Sequence, residues 1–493
     1  MRTGQGQSRS VRMVGIFIAL LICPQPSVRS QTCDTTTLRA IEREAVRAPM
    51  GYTWLEWSTR SIGHRLTGSA NGRRAEESAD SLFRVAGMRH VAFSPFQATA
   101  WQRYSAGISF AGPDGVPVPC PTVALAMTPD SADIRALVVD VGNGLATNFD
   151  SLDRAVHGAI ALVNLHLSNA PPGAVNLHRS EKVALAIQHG AIGVVFANAV
   201  EGGVLLTGTA SVTNQPIAIP AVCIGKEDAV RLRERLVIEK PVHAHITMRN
   251  SSIPITARNV LATLHGTDKA EDVIVVGGHL DSWDLATGAT DNGIGSYSII
   301  DLARCYVALG LRPRRTIVFA LFMGEEQGLL GSTALVNEWA RSGQLDHVKC
   351  MINLDMSGDP SGFNAFGPEH LRTLVSKAQQ DMRALDTTYA ARASDAPWLH
   401  SDHQPFMLHG VATLNPICDL GERVYRCYHS DCDDLRLVDP AVMASNVQRV
   451  GEMLWLLANA DDLPDHFKDE ELRSRLVAGG LEEKLRLHGE WRW

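Results

Sequence analysis

The sequence predicts an α/β protein of three layers, a central sheet with helices on both faces, joined to a smaller β-rich module. Three observations predict it. Beyond Ile253, apolar strands such as "DVIVVGGH", "TIVFALFM", "CMINLDM" and "VATLNPIC" alternate with helical stretches, and that alternation implies a sheet covered on both sides. Between about Gly107 and Asn250 the strand-like runs are shorter and are broken by Gly and Pro. At 493 residues, with 45% apolar and 20% charged side chains, the chain is long enough for two folded units of ordinary globular composition.

Taken in order, Arg2, Arg9 and Arg12 precede the apolar stretch Met13–Cys23, which falls short of the ~20 residues that a membrane-spanning helix needs. With Val28 and Ser30 ahead of Gln31, residues 1–30 are expected to be a signal peptide, and the mature protein to be exported without a membrane span. Cys23 would suit a lipoprotein, but Ile22 stands where a small residue is needed. From about Cys33 to Arg103 apolar residues return at three- and four-residue steps, as in "RRAEESADSLFRVAGM", so a helical segment is expected. "IRALVVDVG", "GAIALVN", "AIGVVFAN" and "IPAVCIG" follow as buried strands, with "SEKVALAIQHG" as a helix among them. In the second region Ile299, Ile300, Ala303, Tyr306 and Val307 share a helix face, and Gly310 supplies its C-terminal stop. "DPAVMASNVQRVGEMLWLLANA" is a further amphipathic helix, and the charged residues 466–493 are expected to form a mobile or peripheral tail.

A formal charge of −7, with no basic tract beyond the short "RPRR" at Arg312–Arg315, argues against a nucleic-acid partner. Export leaves Cys33, Cys120, Cys223, Cys305, Cys350, Cys418, Cys427 and Cys432 in an oxidising compartment. One or two disulfides fit, their spacing fixes no pairing, and Cys305 and Cys350 read equally well as buried free thiols.

Metal-binding side chains gather at the strand ends of the second region. "GGHLDSWD" puts His279 at the end of a strand with Asp281 beyond it, and "ATDNGIGS" puts Asp291 before a helix. Glu325 and Glu326 follow the next strand, Asp355 follows the one after, and "CYHSDCDD" supplies His429. Each has a plain structural explanation: a strand-end His, an Asp helix cap, a turn Asp, a solvated Glu pair. Their joint occurrence is different, because carboxyl ends of strands in open α/β sheets form the crevice where ligands bind. Adjacent carboxylates there repel and are costly to desolvate without cations, and a mixed N/O donor set suits zinc. Five donors exceed the three that one catalytic zinc usually takes, so two ions sharing a carboxylate fit better.

With "GGHLDSWD", "ATDNGIG", "GEEQGLLGS", "NLDMSGD", "SDHQPF" and "YHSDCDD" in this order, the chain resembles the co-catalytic zinc exopeptidases, the family of aminopeptidase Y and the glutamate carboxypeptidases. "DSWD" and "LGLRPRRTI" lean towards the carboxypeptidase Q branch, and "SIGHRLTGSANGRRAEE" matches the start of the mature catalytic domain. The resemblance implies a zinc-exopeptidase α/β/α fold with a mixed sheet and a protease-associated insert. It divides the chain into signal peptide 1–30, N-terminal peptidase part 31–118, insert 119–250, catalytic domain 251–465 and tail 466–493. It implies that Asp291 bridges two Zn2+, with His279 and Asp355 completing one site and Glu326 and His429 the other. Glu325 would be the general base and Asp281 would orient His279. Tyr428 would donate to the tetrahedral oxyanion, although simple packing explains it as well. His400, His403 and His409 compete as ligands, but the family places its ligand in the later YH motif. Asp402 and His403 would then shape the pocket or order its loop.

The function this implies is hydrolysis of short peptides, as an aminopeptidase or dipeptidase. A glutaminyl cyclase shares the fold and part of the metal set, and a transferrin-receptor-like binding protein keeps the fold with ligands lost. The full set of ligands argues against both, and the absence of a GxSxG elbow argues against a serine hydrolase. Side-chain preference and the choice between monomer and homodimer are left open.

Overall fold

A computed structural model describes Met1, Gly4, Gln5 and residues 34–493; the rest of the expected signal segment, and Cys33, lie outside the described residues. Three helices come first: α1 (Thr35–Arg47), α2 (Gly51–Ser61) and α3 (Ala70–Val85). Gly87, at φ +91°, ends the last of these, its N–H bonding to the Arg84 carbonyl while Met88 bonds back to Phe83. The helical reading to Arg103 therefore overruns. The three- and four-residue apolar step stops at Met88, and "HVAFSPFQATAWQRYSAGISFA" becomes the 22-residue strand β1 (His90–Ala111). Its partner lies far along the chain, in β8, so local periodicity carried little of the signal.

The smaller module continues with β2 (Pro117–Cys120), β3 (Val123–Ala124), β4 (Ser131–Gly142), α4 (Ala146–Val156), β5 (Ile160–Asn164) and α5 (Arg179–Gln188). It closes with β6 (Gly193–Ala197), β7 (Ala221–Ile224) and α6 (Lys226–Ile238). Strands β4 to β7 are mutually parallel, and two apolar cores lie over them.

Strand β8 (His243–Leu264) joins the modules. Its first half pairs with β4 and its last residues pair with β10, while β1 runs antiparallel along almost its whole length. The expected boundary at residue 250 falls inside this strand.

The larger module then alternates as expected: β9 (Lys269–His279), α7 (Ile294–Ala308), β10 (Arg315–Phe322), α8 (Leu330–Ser342), β11 (Val348–Asn353), β12 (Gly362–Phe366) and α9 (Glu369–Leu385). After these come β13 (Arg392–Ser394), α10 (His403–Leu408), β14 (Ala412–Ile417), α11 (Glu422–Tyr425) and α12 (Pro440–Asn459). Strands β9, β10, β11 and β14 run parallel, whereas β8 and β12 join antiparallel, so the sheet is mixed. Every residue of β10 is buried. Val318, Ala320 and Phe322 face α8 through Leu335, Val336 and Trp339, while Phe319 meets Tyr306 of α7 on the opposite side. Two-residue alternation thus supplies both covered faces. Gly310, at φ +61°, stops α7 as expected.

Residues 466–493 correct the tail expectation. They fold into α13 (Asp469–Ala478) and α14 (Glu482–His488). Leu472, Leu476, Leu481 and Leu485 bury against Phe366, Leu399, Met407 and Phe467. Asp469, Glu470, Glu471, Arg473, Glu483 and Arg486, among the charges that made the segment look peripheral, are exposed. Cys427 and Cys432 form a disulfide, while Cys120, Cys223, Cys305, Cys350 and Cys418 are free thiols, with Cys305 and Cys350 buried.

Candidate metal centre and active site

Parallel strands deliver their C-terminal ends to one edge. His279 is the last residue of β9, Glu325 and Glu326 lie in the turn after β10, and Asp355 follows β11. Asp291 precedes α7, but it is no simple helix cap: the residue at the N-cap position is Gly293. The Asp291 backbone N–H donates to Asp433 Oδ2 (3.0 Å), and Thr290 donates to Asp433 Oδ1 through its N–H (2.8 Å) and its hydroxyl (2.6 Å). Asn292 ties the same turn to the exit of β11, donating to the Leu354 carbonyl (2.8 Å) and accepting from the Met356 N–H (3.1 Å). The loop after β14 brings in His429 at φ +52°, and the Cys427–Cys432 disulfide closes the loop around it.

Five of the expected residues converge. The two oxygens of Asp291 face different imidazoles, Oδ1 lying 3.2 Å from His279 Nε2 and Oδ2 lying 3.0 Å from His429 Nε2. His279 Nε2 is also 3.4 Å from Asp355 Oδ1, and His429 Nε2 is 3.0 Å from Glu326 Oε2. Asp355 is steadied by Ser401, whose hydroxyl donates to Oδ2 at 2.6 Å. Glu326 Oε1 is buried with no hydrogen-bond partner among the described residues. His279 Nδ1 lies 3.1 Å from the Asp281 backbone carbonyl and 3.6 Å from its carboxylate. Asp281 in turn accepts from the Thr67 hydroxyl (3.0 Å) and from the Glu325 N–H (3.3 Å).

The electrostatics show which partners this cluster favours. Burial, reinforced by neighbouring carboxylates, raises the Glu325 carboxyl well above its usual range and Glu326 to about 7. Burial alone would lower His279, yet the charges of Glu325 and Asp355 outweigh it and hold its proton well above the ordinary range. So many buried acids hold protons unless cations take their place. Two imidazole nitrogens, carboxylate oxygens on either side and an unpartnered Glu326 oxygen fit such cations.

The centre opens into a cavity of about 260 Å3 lined by Asp291, Glu325, Glu326, Asp355, His429 and Tyr428, with Arg179 opposite from the smaller module. Tyr428 stacks on His429 at 3.8 Å between ring centroids and packs against the core of the smaller module. Burial raises its phenol above the usual range. Arg179 is buried, its Nε has no hydrogen-bond partner, and a Cβ at Gly208 would lie 2.0 Å from that atom. His403 is turned away, its Nε2 lying 3.0 Å from the Trp398 carbonyl and its ring against Trp398. His409 Nδ1 lies 2.9 Å from the Pro405 carbonyl. Sequence reading missed Arg179 and Asp433. Asp433 stood in the quoted "SDCDD", whereas Arg179 carried no signal outside the fold.

Comparison with known proteins bears on what this centre belongs to. The profile of peptidase family M28 matches residues 259–454, and that of the PA domain matches residues 130–232. Residues 259–454 of the chain belong to peptidase family M28. The chain is a metallopeptidase, a hydrolase of peptide bonds, and it carries a PA domain. This M28 peptidase is 25% identical to carboxypeptidase Q of Bos taurus over 392 residues, 78% of this chain and 80% of the relative. Leupeptin-inactivating enzyme 1 of Streptomyces exfoliatus is 26% identical over 42% of this chain and 50% of its own length. In fold, the chain matches a peptidase M28 precursor from Shewanella amazonensis with a TM-score of 0.75 at 22% identity, covering 88% of this chain and 99% of that one. An aminopeptidase from Aneurinibacillus follows the same fold at a TM-score of 0.65 and 22% identity, covering 88% and 98%.

Proposed function

We propose that this M28 peptidase is an exported exopeptidase that hydrolyses short peptides at a centre of two zinc ions. The division of the Asp291 carboxylate between two imidazoles carries the reading, because it is the arrangement of a bridging ligand. His279 and Asp355 would complete one site, and Glu326 and His429 the other. Bound there, the ions would polarise the scissile carbonyl and acidify the attacking water. Glu325 takes the proton from that water and passes it to the leaving amine. Its place beside Glu326 keeps it within reach of that water without making it a ligand. Asp281 and the backbone around it hold His279 in place. Tyr428 keeps its phenolic proton, as a donor to the tetrahedral oxygen must.

Arg179 faces the carboxylate-lined cavity from the PA module and suits the free C-terminal carboxylate of a substrate of two or three residues. All five ligand positions are filled, which favours hydrolysis over a binding protein with ligands lost. Export rests on the N-terminal segment of the sequence; among the described residues no helix is long and apolar enough to cross a membrane.

A panel of dipeptides with free and blocked termini, assayed with and without chelator, tests the reading. Hydrolysis of the free dipeptides that chelator abolishes and zinc restores is expected. Chelator-resistant hydrolysis by the pure protein would contradict it.

A further inference from the structure

A second cluster of ligating atoms lies beside the catalytic centre, with His400 on the wall of the same cavity. Glu181 belongs to the first turn of α5 in the PA module, His400 to the loop before α10, and His488 to the end of α14. His488 Nε2 lies 3.5 Å from Glu181 Oε1, and His400 Nε2 lies 3.7 Å from the same oxygen. Each of these three facing atoms is shut from solvent and has no hydrogen-bond partner among the described residues. All three fall within 4.8 Å of one another.

Local structure explains why they point inward. Glu181 closes a capping box, its Oε2 accepting the His178 N–H at 2.7 Å, which leaves Oε1 turned to the histidines. Lys484 Nζ lies 3.9 Å from that same Oε2, on the side away from them. His400 sits at φ +74°, a backbone conformation rarely adopted by a residue with a Cβ, and its ring stacks on His178 at 4.4 Å between centroids. The Glu181 side chain is fully buried. A buried carboxylate oxygen aimed at two imidazole nitrogens, at distances at or beyond the limit of a hydrogen bond, leaves three unmet ligands around one point.

We propose that Glu181, His400 and His488 form a further zinc site, separate from the catalytic pair, that clasps the PA module, the catalytic domain and the C-terminal helix together. Two imidazoles and one carboxylate are a donor set that zinc accepts, with a water in the fourth position. The site explains why α14, in a segment as charged as 466–493, ends on a histidine held against the PA module. It shares no ligand with the catalytic centre.

The test is zinc content of the holoenzyme, purified with zinc and dialysed against metal-free buffer. Wild type is expected to hold one zinc per chain more than His488→Ala, and the same decrement is expected for Glu181→Gln. His488→Gln, which retains most of the side-chain volume, stands beside His488→Ala so that a folding defect in one does not decide the outcome; circular dichroism checks each variant. Because the sites share no ligand, the same one-ion decrement is expected in an Asp355→Ala background. Equal zinc content in wild type and the folded His488 variants would overturn the proposal and leave a proton-linked His–Glu cluster in its place. A decrement that vanishes in the Asp355→Ala background would overturn it too, by assigning the lost ion to the catalytic centre.

Discussion

Asp291 presents one oxygen to each of two imidazoles, and that split separates the candidate ligands from the other histidines nearby. His429→Ala is expected to lower the metal content, while His403→Ala leaves it unchanged, because the His403 ring is committed to Trp398. Metal analysis of the two purified variants checks this, and the reverse result would reassign the ligand. Arg179→Ala is expected to raise KM about 10- to 100-fold for a dipeptide with a free C-terminus, the range set by losing a charge-assisted hydrogen bond of ~1.5–3 kcal/mol. Little change is expected for the amide-blocked dipeptide, so comparing the two substrates isolates the carboxylate. His279, Glu326 and Asp355 were legible because each followed an apolar run, and Asp291 and His429 because the set as a whole was too acidic to stand without cations. Arg179 was not, because its role depends on how the PA module faces the catalytic sheet.

At the scale of elements, β10 shows why the site is held firmly. Phe319 is fully buried between the sheet and α7, where its ring meets Tyr306. Phe319→Ala should cost ~3–5 kcal/mol in a denaturant titration, as large-to-small core changes do. An ion pair links the end of α9 to α12. Thr388 and Arg449 hydrogen-bond the Asp386 carboxylate beyond the end of α9 and together lower it to about 2, against some opposition from burial. A lowered folded value means that the stabilisation is present above the usual aspartate range and fades as pH falls towards 2. Asp386→Asn should therefore lower the melting temperature at neutral pH and converge on wild type near pH 2. Alternation of strands and helices was legible here because each apolar run was long and regular. The overrun of the helical reading into β1 came from a strand whose partner lies far along the chain.

The whole molecule turns on the paired strands β1 and β8, which carry one sheet through both modules. That continuity sets the PA module, with Arg179, against the cavity lined by Asp291, Glu325, Glu326, Asp355 and His429. Composition misled at the C-terminus, where leucines at four- and five-residue steps were hidden among charges and only the fold shows what they cover. The fold class and the convergence of the donors were legible because both follow from short-range pattern. The docking of α13 and α14 follows from long-range packing and was not, and the Cys427–Cys432 bridge, though only five residues apart, was one of many pairings that the spacing of eight cysteines allowed. The proposed roles divide between adjacent glutamates, Glu326 holding metal and Glu325 moving a proton. Turnover and metal content measured together on Glu325→Gln test that division most directly. Unchanged metal content with turnover reduced by about 10²- to 10⁴-fold, the range for a lost general base, is the predicted result; wild-type turnover, or metal lost along with activity, would contradict it.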